Sequence, residues 1–288
     1  MKTRFFALAA LALALAACNN DNEILNNDGP VAAKFAAGIA PATRASGTTW
    51  DAGDRIGITG IGTVYDNVPY ILKNGTFEAE GTVIYFQSTE EVVFRAYYPY
   101  QAEGGTVTVS TAADKQGADI DFLFASGATG DTHNPTVSFT GDHAFHHCMS
   151  LIKFTFKAGD GLSFNETEPA GYTLEGLKHE GTFDTATGTT AVTATSNTPI
   201  TMQLGGATTS QVIILPQEVN SSLELKVSFN GQSYNAQLKL PATPTANFYT
   251  AGYAYTYIVT LNNNDIEVSA PTINPWESGD SNDASATL

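Results

Sequence analysis

Two cysteines and five histidines have the widest chemical reach in this chain, and three of the histidines crowd one cysteine in His143-x-x-His146-His147-Cys148. Imidazole and thiolate at this spacing suggest zinc, which needs three or four convergent ligands. On a strand, however, His146 and Cys148 point to one face and His147 to the other. His133 and His179 are distant in sequence, so no metal and no cofactor are expected. His146 and Cys148 read instead as part of a strand edge or a domain junction. The carboxylate pairs Asp51/Asp54, Glu90/Glu91 and Asp119/Asp121 have the residue types of a glycosidase site. Acidic residues are abundant here, though, and such pairs arise by chance. No serine nucleophile elbow and no Walker loop occur, and Gly57-Ile58-Thr59-Gly60-Ile61-Gly62 lacks the following lysine. No catalytic residue is assigned, and the chain is not expected to be an enzyme. Trp50 and Trp276, with the many tyrosines, would suit either a sugar-stacking platform or core anchors, and anchors are the expectation.

Cys18 carries the clearest chemistry. Lys2 and Arg4 precede an apolar run from Phe5 to Leu15, which Leu15-Ala16-Ala17-Cys18 closes. Positive charge, short apolar run, small residues and cysteine in that order read as a lipoprotein signal over residues 1–17, too short for a comfortable membrane span. Cys18 is expected to become the acylated first residue of an exported protein, with residues 18–30 a polar tether. That leaves Cys148 unpaired, a small core residue rather than half of a disulfide. The formal net charge is −16, and loss of Lys2 and Arg4 makes the remainder more negative. Nucleic acid and anionic lipid both require basic patches that this composition does not supply.

Any such side chains must be positioned by strands. Leu223, Leu225, Val227 and Phe229 alternate with polar residues, as do Ile152, Phe154 and Phe156, Val137 and Phe139, and Tyr253 to Leu261. A period of two with one apolar face predicts half-buried strands. Val212-Ile213-Ile214-Leu215 is apolar throughout, as in a strand covered on both faces. The Asn-Gly pairs 74–75 and 230–231 predict two-residue hairpin turns, whose central positions both need positive φ. Many short strands with turn signals between them predict an all-β chain of antiparallel sandwiches. The first set of strands is read as closing with Cys148 to Lys157. This gives an N-terminal sandwich over 31–160 and a C-terminal one over 161–288 that ends in a polar tail.

Several local patterns occur in order. They are Phe35-Ala36-Ala37-Gly38-Ile39, Thr43-Arg44-Ala45, Trp50-Asp51-Ala52-Gly53-Asp54-Arg55-Ile56-Gly57, Tyr97-Tyr98-Pro99-Tyr100 and Asp121-Phe122-Leu123-Phe124. Phe145-His146-His147-Cys148-Met149, Ile214-Leu215-Pro216-Gln217, Gly252-Tyr253-Ala254-Tyr255 and Ile273-Asn274-Pro275-Trp276 follow. With the cysteine-bearing signal, the ordered set resembles the fimbrillin family of Bacteroidetes, the subunits of type V pili, over nearly the whole mature chain. The resemblance implies two tandem transthyretin-like, Greek-key β-sandwiches in a lipoprotein precursor that goes to the outer membrane and then to the cell-surface fimbrium. It also implies cleavage after an arginine near the start, loss of the lipid and first strand, and polymerisation when another subunit's C-terminal strand fills the groove.

Residues here suit those roles. Val31, Ala33, Phe35, Ala37 and Ile39 alternate onto one face of a removable first strand. Its loss would expose a sheet edge, a template for strand addition. Arg44 and Ala45 lie in a small-residue stretch open to proteases. Ile266, Val268 and Ala270 are the donor candidates, interrupted by Pro271 and Pro275. The polar tail beyond Trp276 is poor in apolar side chains, which leaves both shaft and tip or accessory roles open. Asp184-Thr185-Ala186 resembles a short O-glycosylation signal, with Thr185 as acceptor. Expected partners are other pilus subunits, the membrane through the lipid, and surface ligands of host or bacterial cells. The competing reading is a surface lipoprotein that captures glycans for uptake.

Overall fold

A computed structural model of the chain describes residues 29–40 and 50–276. Among them the chain is built from short strands with three single turns of 3-10 helix, as the alternation predicts. Both Asn-Gly turns form as expected. Asn74 and Gly75 have φ of 50° and 81°, and Asn230 and Gly231 have 49° and 70°. These turns set the pairings Lys73↔Thr76 and Phe229↔Gln232.

The first half forms an eight-stranded sheet. Its spatial order is Thr136–Phe139, Lys34–Ala37, Thr76–Ala79, Val68–Lys73, Arg55–Gly60, Val92–Tyr98, Leu123–Gly130 and His146–His147. Apolar residues at every second position send Phe35, Ile56, Ile58, Phe94, Val137, Phe139 and Phe145 into one cluster. The second half encloses a second cluster between two sheets. One is ordered Thr209–Ile214, Ser150–Ala158, Tyr253–Leu261, with Ile266–Val268 and Thr272–Pro275 one after the other along the free edge of the last strand. The other is ordered Ile200–Gln203, Gly171–Glu175, Glu224–Phe229, Gln232–Gln237. Phe154 meets Tyr172 across the gap at 5.1 Å between ring centroids. The buried hydroxyls of Tyr249 and Tyr257 bond each other at 2.9 Å, and Tyr257 donates to the Lys239 carbonyl, so the polar ends of these rings are satisfied inside the core.

Two neighbour pairs depart from an all-antiparallel pattern. Lys34–Ala37 runs parallel to Thr136–Phe139, and Ser150–Ala158 runs parallel to Tyr253–Leu261. The second pairing also corrects the assignment of Cys148 to Lys157 to the first half. Alternation identifies a strand's faces but not its partners, and the partners of Ser150–Ala158 are Thr209–Ile214 and Tyr253–Leu261, both in the second half.

A third cluster joins the halves. Tyr97, Phe122 and Phe124 from the first meet Leu151, Phe183, Ile213 and Leu215 from the second, with Cys148 and Met149 between them. The Val212 to Leu215 run is buried on both faces for this reason: Val212 and Ile214 face the second core, and Ile213 and Leu215 face the junction. The Thr106–Ser110 strand pairs with Glu180–Asp184 and so carries backbone bonds from one half to the other. Gln116 covers the outer edge of Thr209–Ile214. Its amide donates to the Ile213 carbonyl and accepts from the Ile213 N–H at 3.0 and 2.8 Å, taking the place of a strand partner. Phe183 is the central ring of the junction, fully buried, 4.5 Å from Phe122 and 6.1 Å from Tyr97 between centroids. Phe183→Ala is expected to lower stability by about 3–5 kcal/mol, the cost of an aromatic cavity, read from the urea midpoint. A loss under about 1 kcal/mol would show that the junction is not tightly packed.

Candidate assembly site

The segment 31–39 occupies a slot in the first half. Val31–Ala32 pairs antiparallel with Tyr85–Phe86, and the Ala33 N–H donates to the Ile84 carbonyl. Lys34–Ala37 then runs in parallel register beside Thr136–Phe139. Gly38 donates to Phe139, Gly38 accepts from Phe145, and Ala40 donates to Phe145. One side is therefore bonded from Lys34 to Ala40. The opposite side carries the bonds of Val31–Ala33 to Ile84–Phe86, and beyond them a single pair, Phe35↔Phe77, joins it to Thr76–Ala79. Where those strands part, a cavity of about 380 Å³ opens, lined by Ala33, Phe35, Tyr70, Phe77, Ala79 and Val83 among others.

The side chains alternate as the sequence implies. Ala33, Phe35 and Ile39 are buried, Lys34 and Ala36 are exposed, and Val31 and Ala37 are half-buried. Phe35 is the anchor. Its ring lies 4.8 Å from Tyr70 and 5.5 Å from Phe94, both edge to face, and 6.4 Å from Phe139. Burying Phe35 and Ile39 contributes roughly 2–3 kcal/mol each. Trp50 holds the strand from outside. Its indole N–H donates to the Ala37 carbonyl at 3.0 Å, and its ring packs on Phe77, Tyr98 and Phe145. Sequence reasoning missed this role, because an aromatic after a small-residue loop does not name its acceptor. Cys18, Arg44 and Ala45 lie outside the described residues.

The donor candidates are engaged in the chain's own sheet. Ile266–Val268 bonds Val259 to Leu261, and Thr272–Pro275 bonds Tyr253 to Thr256, with Pro271 between the two pieces. Ile266 and Val268 pack partly on the second core, whereas Ala270 is exposed. Trp276 pins the end of this edge. Its backbone N–H donates to the Gly252 carbonyl, and its buried ring stacks on His147 at 4.2 Å and 5°.

His147 Nδ1 lies 2.8 Å from Asp121 Oδ1, and both residues are buried. The other imidazoles go elsewhere, His143 to the Ser126 carbonyl and His146 edge-on to Phe124. Among the described residues no group of three or more His, Cys, Asp or Glu side chains is placed to hold a metal. His146–His147 is a sheet edge, paired with Leu123 and Phe124, and Cys148 lies in the junction cluster. Burial pushes the Cys148 thiol well above its usual range, with the Asp121 carboxylate adding to the effect. Neither Trp offers a free stacking face, since Trp276 is buried and Trp50 is ringed by aromatics. Thr185 is 8% exposed and its N–H donates to the Gly105 carbonyl. A glycan on the folded chain fits poorly there.

Two outcomes are expected. Trp50→Phe keeps a ring but loses the bond to Ala37. It should cost about 1 kcal/mol and speed amide hydrogen exchange in 33–40, whereas unchanged exchange would deny Trp50 its part in holding the strand. With Cys18 replaced by serine, Cys148 should resist a thiol reagent at pH 8 until the chain is unfolded. Rapid native labelling would contradict its burial.

A fimbrillin-like family profile matches residues 43–276. A Bacteroides uniformis protein described as a candidate fimbrium subunit, Fim1C, is 30% identical over 97% of this chain and 97% of its own. Crystal structures of candidate cell adhesion proteins are also similar. One from Bacteroides ovatus is 26% identical with a TM-score of 0.74, covering 86% of this chain and 98% of that one. One from Bacteroides uniformis is 27% identical with a TM-score of 0.70 at the same coverage. With the matched span reaching from before Trp50 to the Trp276 that pins the last strand, the chain belongs to the fimbrillin-like family of fimbrial subunits.

Proposed function

We propose that this fimbrial subunit is exported as a lipoprotein acylated at Cys18, is cut after Arg44, and polymerises by strand exchange. Cleavage leaves Ala45 as the first residue and frees 31–39, and a strand from another subunit takes its place. The supporting observation is the way the segment 31–39 is held. It carries a buried alternating face anchored by Phe35, yet beyond its bonds to Ile84–Phe86 one pair, Phe35↔Phe77, is all that joins it to Thr76–Ala79. Its departure would unpair Thr136–Phe139 and empty the space between Tyr70 and Phe94. Those two losses define what an incoming strand must supply, backbone bonds in register and an apolar side chain at the Phe35 position. Trp50 follows the cut and stays with the body.

Ile266, Val268 and Ala270 are the donor segment in this reading, released from the outer edge of the second half's sheet. A paired edge strand leaves with fewer broken contacts than a central one. The chain works as two structural units, meeting near residue 148 rather than 160, because Ser150–Ala158 belongs to the second core. The assembled fimbrium stands on the cell surface, where its outward faces meet ligands of host or bacterial cells.

The N-terminal sequence and mass of the subunit sheared from its native cell surface test this. The expected start is Ala45 with no lipid. A polymerised subunit that begins at acylated Cys18 would overturn the mechanism.

A further inference from the structure

Five large apolar side chains are exposed among the described residues, and four of them lie together. These are Ile61, Val64, Tyr85 and Val93, with 49%, 92%, 41% and 39% of their surfaces open. The Ile61 N–H donates to the Val93 carbonyl at 2.8 Å, and the Tyr85 N–H donates to the Tyr65 hydroxyl at 3.1 Å. Ile61, Val64, Tyr65 and Tyr85 line one cleft of about 430 Å³. Apolar exposure gathered in one place, rather than scattered, marks a surface that another molecule covers.

The patch adjoins the slot of the first strand. Tyr85 and Phe86 are the backbone partners of Ala32 and Val31, so the slot opens at this end directly onto Tyr85. A replacement strand must meet the same ladders, parallel to Thr136–Phe139 and antiparallel to Tyr85–Phe86. Parallel and antiparallel ladders space their donors and acceptors differently, so the replacement must run in the direction of the strand it replaces. A donor drawn from a subunit's C-terminal region has its parent body at the donor's N-terminal end. In that orientation the body lies at the Val31 end, over the patch.

We infer that the patch formed by Ile61, Val64, Tyr85 and Val93 is the docking face for the body of the donating subunit, so the incoming strand enters beside Tyr85 and runs toward Phe145. This rests on the strand-exchange reading above, and it adds a direction of insertion and a second, side-chain interface outside the groove.

Val64→Glu tests it, because a side chain this exposed can be changed without disturbing the core. Two readouts are taken on chain cut after Arg44: binding of a labelled peptide of residues 29–40, which reports the groove alone, and the rate of polymerisation. The expected result is unchanged melting, unchanged peptide binding and polymerisation slowed about tenfold or more. A photocrosslinking residue at position 64 should also join neighbouring subunits in sheared fimbriae. Polymerisation of Val64→Glu at the wild-type rate, with no crosslink from position 64, would overturn the docking face. Loss of peptide binding in the variant would also overturn it, by moving the effect into the groove. Failure of the wild-type cut chain to bind the peptide would instead sink the strand-exchange reading, and this inference with it.

Discussion

The ring of Phe35 sits between Tyr70, Phe94 and Phe139, and the first core is complete only while some strand carries an apolar side chain into that position. That strand precedes the rest of the sheet in sequence and is separated from it by the segment that contains Arg44. The core therefore depends on a part that is covalently the easiest to remove. Its backbone is bonded along one side from Lys34 to Ala40, and its other side is joined to Ile84–Phe86 at the start and at one further pair beside an open cavity. A segment so placed is held by packing and by register, the two things that the proposed exchange would require of a substitute. Hydrophobic burial is non-directional, and ladder bonds read register rather than identity.

Two tryptophans mark the limits of the structured body. Trp50 bonds the first strand at Ala37 from the body's side of the predicted cut, and Trp276 fastens the last strand through His147 and Gly252. Between them the junction cluster joins the two cores. Phe183 and Phe122 pack at its centre, and Thr106–Ser110 is hydrogen-bonded to Glu180–Asp184. A subunit that must carry tension along a filament needs such continuity. Gln116 in turn denies an edge of the second half to stray strands.

Much of this was legible in the sequence. Alternation gave away the strands and the buried face of 31–39, where Ala33, Phe35 and Ile39 point inward as read. The Asn-Gly pairs named two hairpins, because positive φ at both central positions leaves few other conformations. Partners were not legible. Ser150–Ala158 shows its faces clearly, yet nothing local says that it lies beside Tyr253–Leu261 or that it does so in parallel. His147 and Asp121 each looked like members of other clusters, and their 2.8 Å contact depends on sheet geometry over a long loop. Ile61 and Val64 carry no sequence signal of their own, so their exposure beside the first strand could be seen only in three dimensions.

The central claim is that the strand 31–39 must leave before subunits join. Ala36 and Ser138 face each other in register across the parallel pair, and both are exposed. With cysteines at these two positions, oxidation would tie the strand to its neighbour even after the chain is cut. The account predicts that the oxidised, cut subunit does not polymerise and that a reductant restores assembly. Polymerisation of the locked subunit at the unlocked rate would contradict it.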